Sequence, residues 1–184
     1  MHVRRVAVIG PPGAGKSTAS RVLARATGLP LIHLDRHFWK EGWVPTPRDE
    51  WRRMQRRIIA GDSWIIDGNY GGTLDLRLRA ADSVIFLDPP RHLYIRRVVT
   101  RMLKGFFLRE TRPDMAPGCS ERPDLNWFRF LGWVCSFHRD GRPELVEQVR
   151  DLPPGTRLYW LRRPEEVRQL AAALAREESD RPPC

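Results

Sequence analysis

Cysteine is scarce in this chain of 184 residues: there are three, Cys119, Cys135 and Cys184. They cannot pair completely and follow no disulfide framework, which argues against a small cross-linked secreted scaffold and suits a reducing cytoplasm. Lysine is equally scarce. Only Lys16, Lys40 and Lys104 stand among the 32 basic residues, so arginine carries almost all of the net charge of +10. Such a charge either meets an anionic partner, nucleotide phosphates or nucleic acid, or is spread over a solvated surface. No apolar run is long enough to span a bilayer, and no apolar leader precedes the first strand-like run, so a cytoplasmic protein without a membrane contact is expected. Repeats and low-complexity segments are absent. So are a recognition-helix, zinc-finger or RNP-type pattern, which leaves nucleic acid the less favoured partner. The length fits one α/β domain over residues 1–178 with a frayed tail at 179–184.

What the chain does have is Gly10-Pro11-Pro12-Gly13-Ala14-Gly15-Lys16-Ser17, followed by Thr18. This is G-x-x-x-x-G-K-S between an apolar run, Val6–Ile9, and a helix-patterned segment, the strand–loop–helix setting that a phosphate-binding loop requires. Glycines let the backbone curl so that successive N–H groups face phosphate oxygens, and the helix adds its positive N-terminus. In this pattern Lys16 serves the β- and γ-phosphates and the Ser17 hydroxyl holds Mg²⁺. ATP and magnesium are therefore the expected ligands, with residues Gly10 to Thr18 as their cradle.

Strand-like and helix-like runs then alternate. Leu31–Leu34, Trp64–Ile66, Val84–Leu87 and Arg157–Leu161 read as four further strands. Helical spacing appears from Thr18 to Gly28, after a Thr46-Pro47-Arg48-Asp49 start with Thr46 as N-cap, briefly around Leu74–Ala81, over Arg91–Lys104, around Trp127–Val134, and from Pro164. Arg36–Pro45 reads as a loop whose Trp39 and Trp43 either stack on a bound ring or anchor the loop. Residues Gly105–Arg122 lose periodicity and read as a mobile insert, a lid that shuts out water. Five strands separated by helices predict an α/β fold built on a five-stranded parallel sheet with helices on both faces.

Ligands of such sheets lie at the carboxyl ends of the strands. Asp35, Asp67 and Asp88 each close a strand-like run, so all three are expected at the crevice that holds Lys16, with Asp88, ahead of two prolines, the best fit to a mere turn residue. Asp67 suits Mg²⁺ or its water shell, or a structural cap. Asp35 suits a role in orienting or deprotonating an acceptor hydroxyl, or again a cap. Arg97, Arg101, Arg109, Arg112 and Arg122 border the insert, with Arg139 and Arg142 beyond it. Arg101, Arg139 and Arg142 are the candidates to neutralise a migrating phosphoryl group.

The phosphate loop, His33-Leu34-Asp35 with Phe38-Trp39, Trp64–Tyr70 and Thr111-Arg112-Pro113-Asp114-Met115 together resemble the adenylate-kinase-like P-loop proteins named DNA topology modulation protein FlaR. The likeness runs from the first strand to about Arg142. Asp67-Gly68 also resembles the DGFPR stretch of true adenylate kinases. This resemblance implies a P-loop NTPase fold of the nucleoside-monophosphate-kinase kind, with a core, an acceptor-binding region and a lid. Two positions depart from adenylate kinases: Gly71 stands where their AMP-binding arginine would be, and Asp35-Arg36-His37-Phe38-Trp39 replaces their Thr-Gly element. Asp35 looks more like the acceptor-hydroxyl aspartate of shikimate or gluconate kinases. The expected function is transfer of the ATP γ-phosphoryl to a small acceptor, a nucleotide or a hydroxyl-bearing metabolite. The alternative is a nucleic-acid-associated or regulatory ATP-binding protein.

Overall fold

Strands buried on both faces need nearly continuous apolar runs, and the central ones here have them. In a computed structural model, which describes residues 3–108, 114–119 and 125–179, Arg5–Ile9 (β1), Trp64–Asp67 (β5) and Ser83–Leu87 (β6) are buried almost throughout. With Leu31–His33 (β2) and Arg157–Leu161 (β7) they form one parallel sheet of order β2-β5-β1-β6-β7. Between β2 and β5, two-residue strands Trp39–Lys40 (β3) and Val44–Pro45 (β4) make a separate antiparallel hairpin.

Alternation along β1 divides the core. Val6 and Val8 point to the face covered by helices Lys16–Thr27 (α1) and Pro164–Ser179 (α8), where they meet Leu23, Val167 and Leu174. Ala7 and Ile9 point to the other face, packed with Trp51 of Arg48–Ile59 (α3), Leu74 and Leu78 of Leu74–Ala80 (α4), and Leu145 and Val149 of Gly141–Arg150 (α7). A one-turn helix, Leu34–Phe38 (α2), follows β2 directly. Arg91–Leu108 (α5) and Leu125–Ser136 (α6) pack through Tyr94, Val98, Met102 and Val134. Among the described residues, no helix is long and apolar enough to cross a membrane.

Four local expectations change. Residues 34–45 are one turn of helix and a hairpin rather than a strand end and a loop, because strands of two residues show no period in sequence. Thr46 does not cap α3: its hydroxyl donates to the Phe38 carbonyl at 2.7 Å, tying the hairpin to α2, and Pro47 takes the cap position. Helix α5 runs past Gly105 to Leu108, since one glycine costs a helix only about 1 kcal/mol. Helix α7 is an addition to the helical runs legible in the sequence, although Gly141-Arg142-Pro143-Glu144 carries a first-turn proline and acid.

Candidate active site

The loop between β1 and α1 is shaped by glycines for steric reasons. Gly10 (φ 144°) and Gly13 (φ 77°) are left-handed, and a Cβ on either would strike the carbonyl oxygen of Leu87 or Tyr94. Gly15 (φ 98°) then turns the chain into α1, leaving the first N–H groups of that helix without intrahelical partners at the loop's mouth. Lys16 is the first residue of α1. Its Nζ donates to the carbonyls of Gly10 at 2.9 Å and Pro11 at 3.0 Å, which holds the ammonium across the loop. Arg97 of α5 braces the far side by donating to the Ala14 carbonyl at 3.3 Å.

Two side chains distant in sequence reach this loop. Asn69 grips Gly10 on both sides: its Oδ1 accepts from the Gly10 N–H at 3.0 Å and its Nδ2 donates to the Gly10 carbonyl at 2.8 Å. Asp114, 7% exposed, accepts a hydrogen bond from the Ser17 hydroxyl at 3.0 Å. The segment that carries it, 114–119, also rests on the β3–β4 hairpin. There the Gly42 N–H meets the Gly118 carbonyl at 3.4 Å, and Cys119 Sγ lies 3.4 Å from the Lys40 carbonyl.

Asp35 and Asp67 both come to this end of the sheet. Asp67 closes β5 and its Oδ2 lies 2.7 Å from His33 Nδ1, at the end of the neighbouring strand, with both side chains nearly buried. Asp35, on α2, accepts from the Tyr70 hydroxyl at 2.5 Å. Burial, and then the Asp35 charge beside it, push the Tyr70 phenol far above its ordinary pKa, so it is a fixed donor. Its ring packs on Phe38 and Trp51 at centroid distances of 4.6 and 5.0 Å. Trp39 and Trp43 stand edge to face 5.4 Å apart at the rim, both half-buried. Arg77 of α4 is fully buried and donates to Gln55 Oε1, to Thr73 and to the carbonyls of Gly68 and Asn69. Burial presses its pKa down to about 9, which leaves it ionised at neutral pH as the pin under residues 68–69.

On the other side of the loop is a cavity of about 380 Å³ lined by Gly15, Thr18, Val22, Arg97, Arg162 and Val167, among others. Its rim is the turn from β7 into α8, fixed by Glu166, whose Oε2 accepts from the N–H groups of Arg162 and Arg163 at 2.7 and 3.0 Å. The cavity joins apolar walls to arginines beside the loop, a shape and polarity suited to the base and sugar of a nucleotide.

The remaining candidates are distributed differently. Asp88 is engaged by α7 and β7, taking two hydrogen bonds from Arg142, at 2.9 and 2.7 Å, and one from the Trp160 indole at 3.0 Å. Arg142 is thereby engaged in the fold. Arg139 pairs with Asp140 on the surface, its side chain 83% exposed. Arg101 is half-buried on α5, one turn beyond Arg97. Arg109, Arg112 and Arg122 lie outside the described residues. Asp67 and Asp35 lie at the edge of the sheet where the strand-end rule puts them; His33, Asn69, Tyr70, Arg77 and Asp114 carry no signature that spacing alone reveals.

No protein-family model matches the chain. By sequence it is similar to an adenylate kinase of Gloeobacter violaceus, 25% identical over 82% of this chain and 77% of that one. By fold it is similar to shikimate kinase from Acinetobacter baumannii in complex with shikimate, at a TM-score of 0.58 and 17% identity, covering 95% of this chain and 92% of that one. It is likewise similar to a putative kinase from Chloroflexus aurantiacus, at a TM-score of 0.55 and 18% identity, covering 96% and 98%. The chain has the P-loop NTPase fold, and these relatives and structural neighbours are described as kinases.

Proposed function

We propose that this protein is a phosphotransferase that uses MgATP to phosphorylate a hydroxyl group of a small acceptor. The observation that carries the reading is the Asn69–Gly10 clamp. It fastens the phosphate loop to residues 67–70, and Tyr70 in turn fastens Asp35, so phosphate cradle and acceptor carboxylate are parts of one rigid edge.

In this reading the backbone from Gly10 to Thr18 cradles the triphosphate, and Lys16 swings from the Gly10 and Pro11 carbonyls onto the β- and γ-phosphates. The loop fits such a group because its left-handed glycines leave room that a Cβ would fill. Magnesium, when bound, supplies charge neutralisation at the phosphates. Ser17 is the hydroxyl placed to hold it, and Asp67, oriented by His33, serves its water shell. Asp35 orients the acceptor hydroxyl and takes its proton through Oδ2, while the Tyr70 hydroxyl keeps hold of Oδ1. The half-buried aromatics Phe38 and Trp39 flank that position and suit an acceptor with an apolar face. Arg97 and Arg101 are the arginines on the phosphate side, and 114–119 is the part of the lid that lies over both substrates. Arg139 and Arg142 act in this scheme only if closure releases them from Asp140 and Asp88. Shikimate-type hydroxyl acceptors fit this arrangement better than a nucleoside monophosphate, because Gly71 occupies the place of a phosphate-binding arginine.

The test is ADP release against a panel of hydroxy acids, sugars, amino alcohols and nucleoside monophosphates. Lys16→Ala should lower turnover at least a thousandfold with an unchanged melting curve. Asp35→Asn should keep ATP binding and basal hydrolysis while losing acceptor-stimulated turnover. If no acceptor stimulates the wild type and ATP binding responds instead to nucleic acid, the charge of +10 belongs to a regulatory ATP-binding protein.

A further inference from the structure

Asp67 is the carboxylate that strand order nominates for the metal, yet it is Asp114 that touches Ser17. Resting on the reading of the loop as an ATP site, we propose that Asp114 is a direct ligand of the magnesium ion, beside Ser17, and that once ATP is bound it makes seating of the 114–119 segment dependent on the metal. Three observations lead there. Asp114 Oδ2 and Ser17 Oγ are 3.0 Å apart, and two neighbouring ligands of an octahedral Mg²⁺ with bonds of about 2.1 Å stand about 3.0 Å apart. The two oxygens therefore already have the spacing of one edge of the coordination octahedron. Magnesium needs few protein ligands, since phosphate oxygens and waters complete its shell. Second, the Asp114 side chain is more than nine-tenths buried against the loop, where a carboxylate facing a triphosphate is repelled unless a divalent cation stands between them. Third, the Asp67 carboxylate is held by His33 at 2.7 Å, an arrangement suited to orienting a metal-bound water.

The consequence is a safeguard. ATP without metal would meet the Asp114 charge and hold the segment off, whereas MgATP would draw it onto the loop. Because 114–119 also rests on the β3–β4 hairpin through Gly118 and Cys119, the same contact completes the acceptor side.

Asp114→Asn retains the oxygen that accepts from Ser17, so it is a mild change to the fold. The experiment is calorimetric titration of a non-hydrolysable ATP analogue with and without Mg²⁺, and Mn²⁺ binding to the protein–analogue complex followed by electron paramagnetic resonance. In the wild type, Mg²⁺ should strengthen analogue binding. In Asp114→Asn the metal-free analogue should bind as tightly as to the wild type or tighter, the Mg²⁺ enhancement should fall at least tenfold, and Mn²⁺ affinity should fall with it. Asp114→Glu should recover part of both. Wild-type metal enhancement in a folded Asp114→Asn would overturn the proposal and leave Asp114 as a structural seat for Ser17. Loss of metal-free binding in that variant would likewise overturn it, by showing that Asp114 shapes the cradle itself. A wild type that binds no analogue under any condition would instead overturn the ATP reading on which the proposal stands.

Discussion

Replacing Asn69 with alanine removes both hydrogen bonds that hold Gly10, at 3.0 and 2.8 Å. A neutral hydrogen bond of this kind contributes about 0.5–1.5 kcal/mol net. The two losses are not equal in kind. Before ATP binds, the Gly10 carbonyl keeps its bond from Lys16 Nζ and loses it only when Lys16 turns to the phosphates, whereas the Gly10 N–H loses at once the acceptor that Asn69 supplies. Together they come to about 2 kcal/mol, with the N–H the larger share. Since Gly10 opens the phosphate loop, most of this should appear as a cost of ordering the loop around ATP. At about 1.4 kcal/mol per factor of ten, ATP affinity should fall roughly 10- to 100-fold. The melting temperature should fall by only a few degrees, because no core side chain is touched. Asn69→Asp is the sharper variant: it still accepts from the Gly10 N–H but repels the Gly10 carbonyl and adds a charge beside the phosphates. It should bind ATP more weakly than Asn69→Ala. Calorimetric titration with ATP alongside thermal melting checks this. ATP affinity within about twofold of wild type in Asn69→Ala would refute the view that the clamp shapes the cradle.

Arg77→Met leaves acceptors on Gln55, Thr73, Gly68 and Asn69 without this donor, offset in part by relief of a desolvated charge, so unfolding free energy should drop by about 2–3 kcal/mol, read by urea titration, and a drop under about 1 kcal/mol would mean the guanidinium is no pin. Burial works against ionised Asp88, but hydrogen bonds from Arg142 and Trp160 outweigh it and set its pKa below the ordinary carboxylate value. Its stabilisation is therefore complete above the unfolded pKa, near 4, and is lost as pH falls through the folded one. Asp88→Asn should cost about 2 kcal/mol at neutral pH, with the gap to wild type closing below about pH 4; a gap independent of pH would show that charge plays no part.

The sheet was legible because its central strands are short runs of wholly buried apolar residues, and the tight loop between β1 and α1 because its glycines stand where the backbone is left-handed. What spacing cannot show is pairing across the chain. Ser17 and Asp114 are 97 residues apart, and Gly10 and Asn69 are 59 apart, so neither contact leaves a local pattern. Asp88 shows the converse. It ends a strand as Asp67 does, but its neighbour β7 brings Trp160 beside it and α7 brings Arg142, and the carboxylate is drawn into the fold. Position at a strand end brings a carboxylate to the correct edge; the adjacent elements decide which way it faces. The hairpin at 39–45 was hidden for another reason: its strands are too short to have a period, and its positive-φ residues, Gly42 and Trp43, include one that sequence gives no reason to expect.

Residues 67–70 show how much site geometry four consecutive residues can set. Asp67 turns to His33 on β2, the Gly68 N–H continues the ladder to the Val8 carbonyl on β1 at 3.2 Å, Asn69 holds the phosphate loop, and Tyr70 holds Asp35 on α2. An extended strand would send alternate side chains to opposite faces and could not aim four neighbours at four elements. The chain escapes that alternation through left-handed backbone at Gly68 (φ 134°) and at Tyr70 (φ 40°). For a tyrosine this conformation costs roughly 1–2 kcal/mol. The surroundings offset the cost. The Thr73 N–H donates to the Tyr70 carbonyl at 2.9 Å, Arg77 holds the carbonyls of Gly68 and Asn69 from beneath, and Phe38 and Trp51 clasp the ring. A strained residue held by this many partners has one available conformation, and so does the carboxylate it touches. In the proposed reaction, that would let Asp35 meet an acceptor hydroxyl without first losing the entropy of a free side chain.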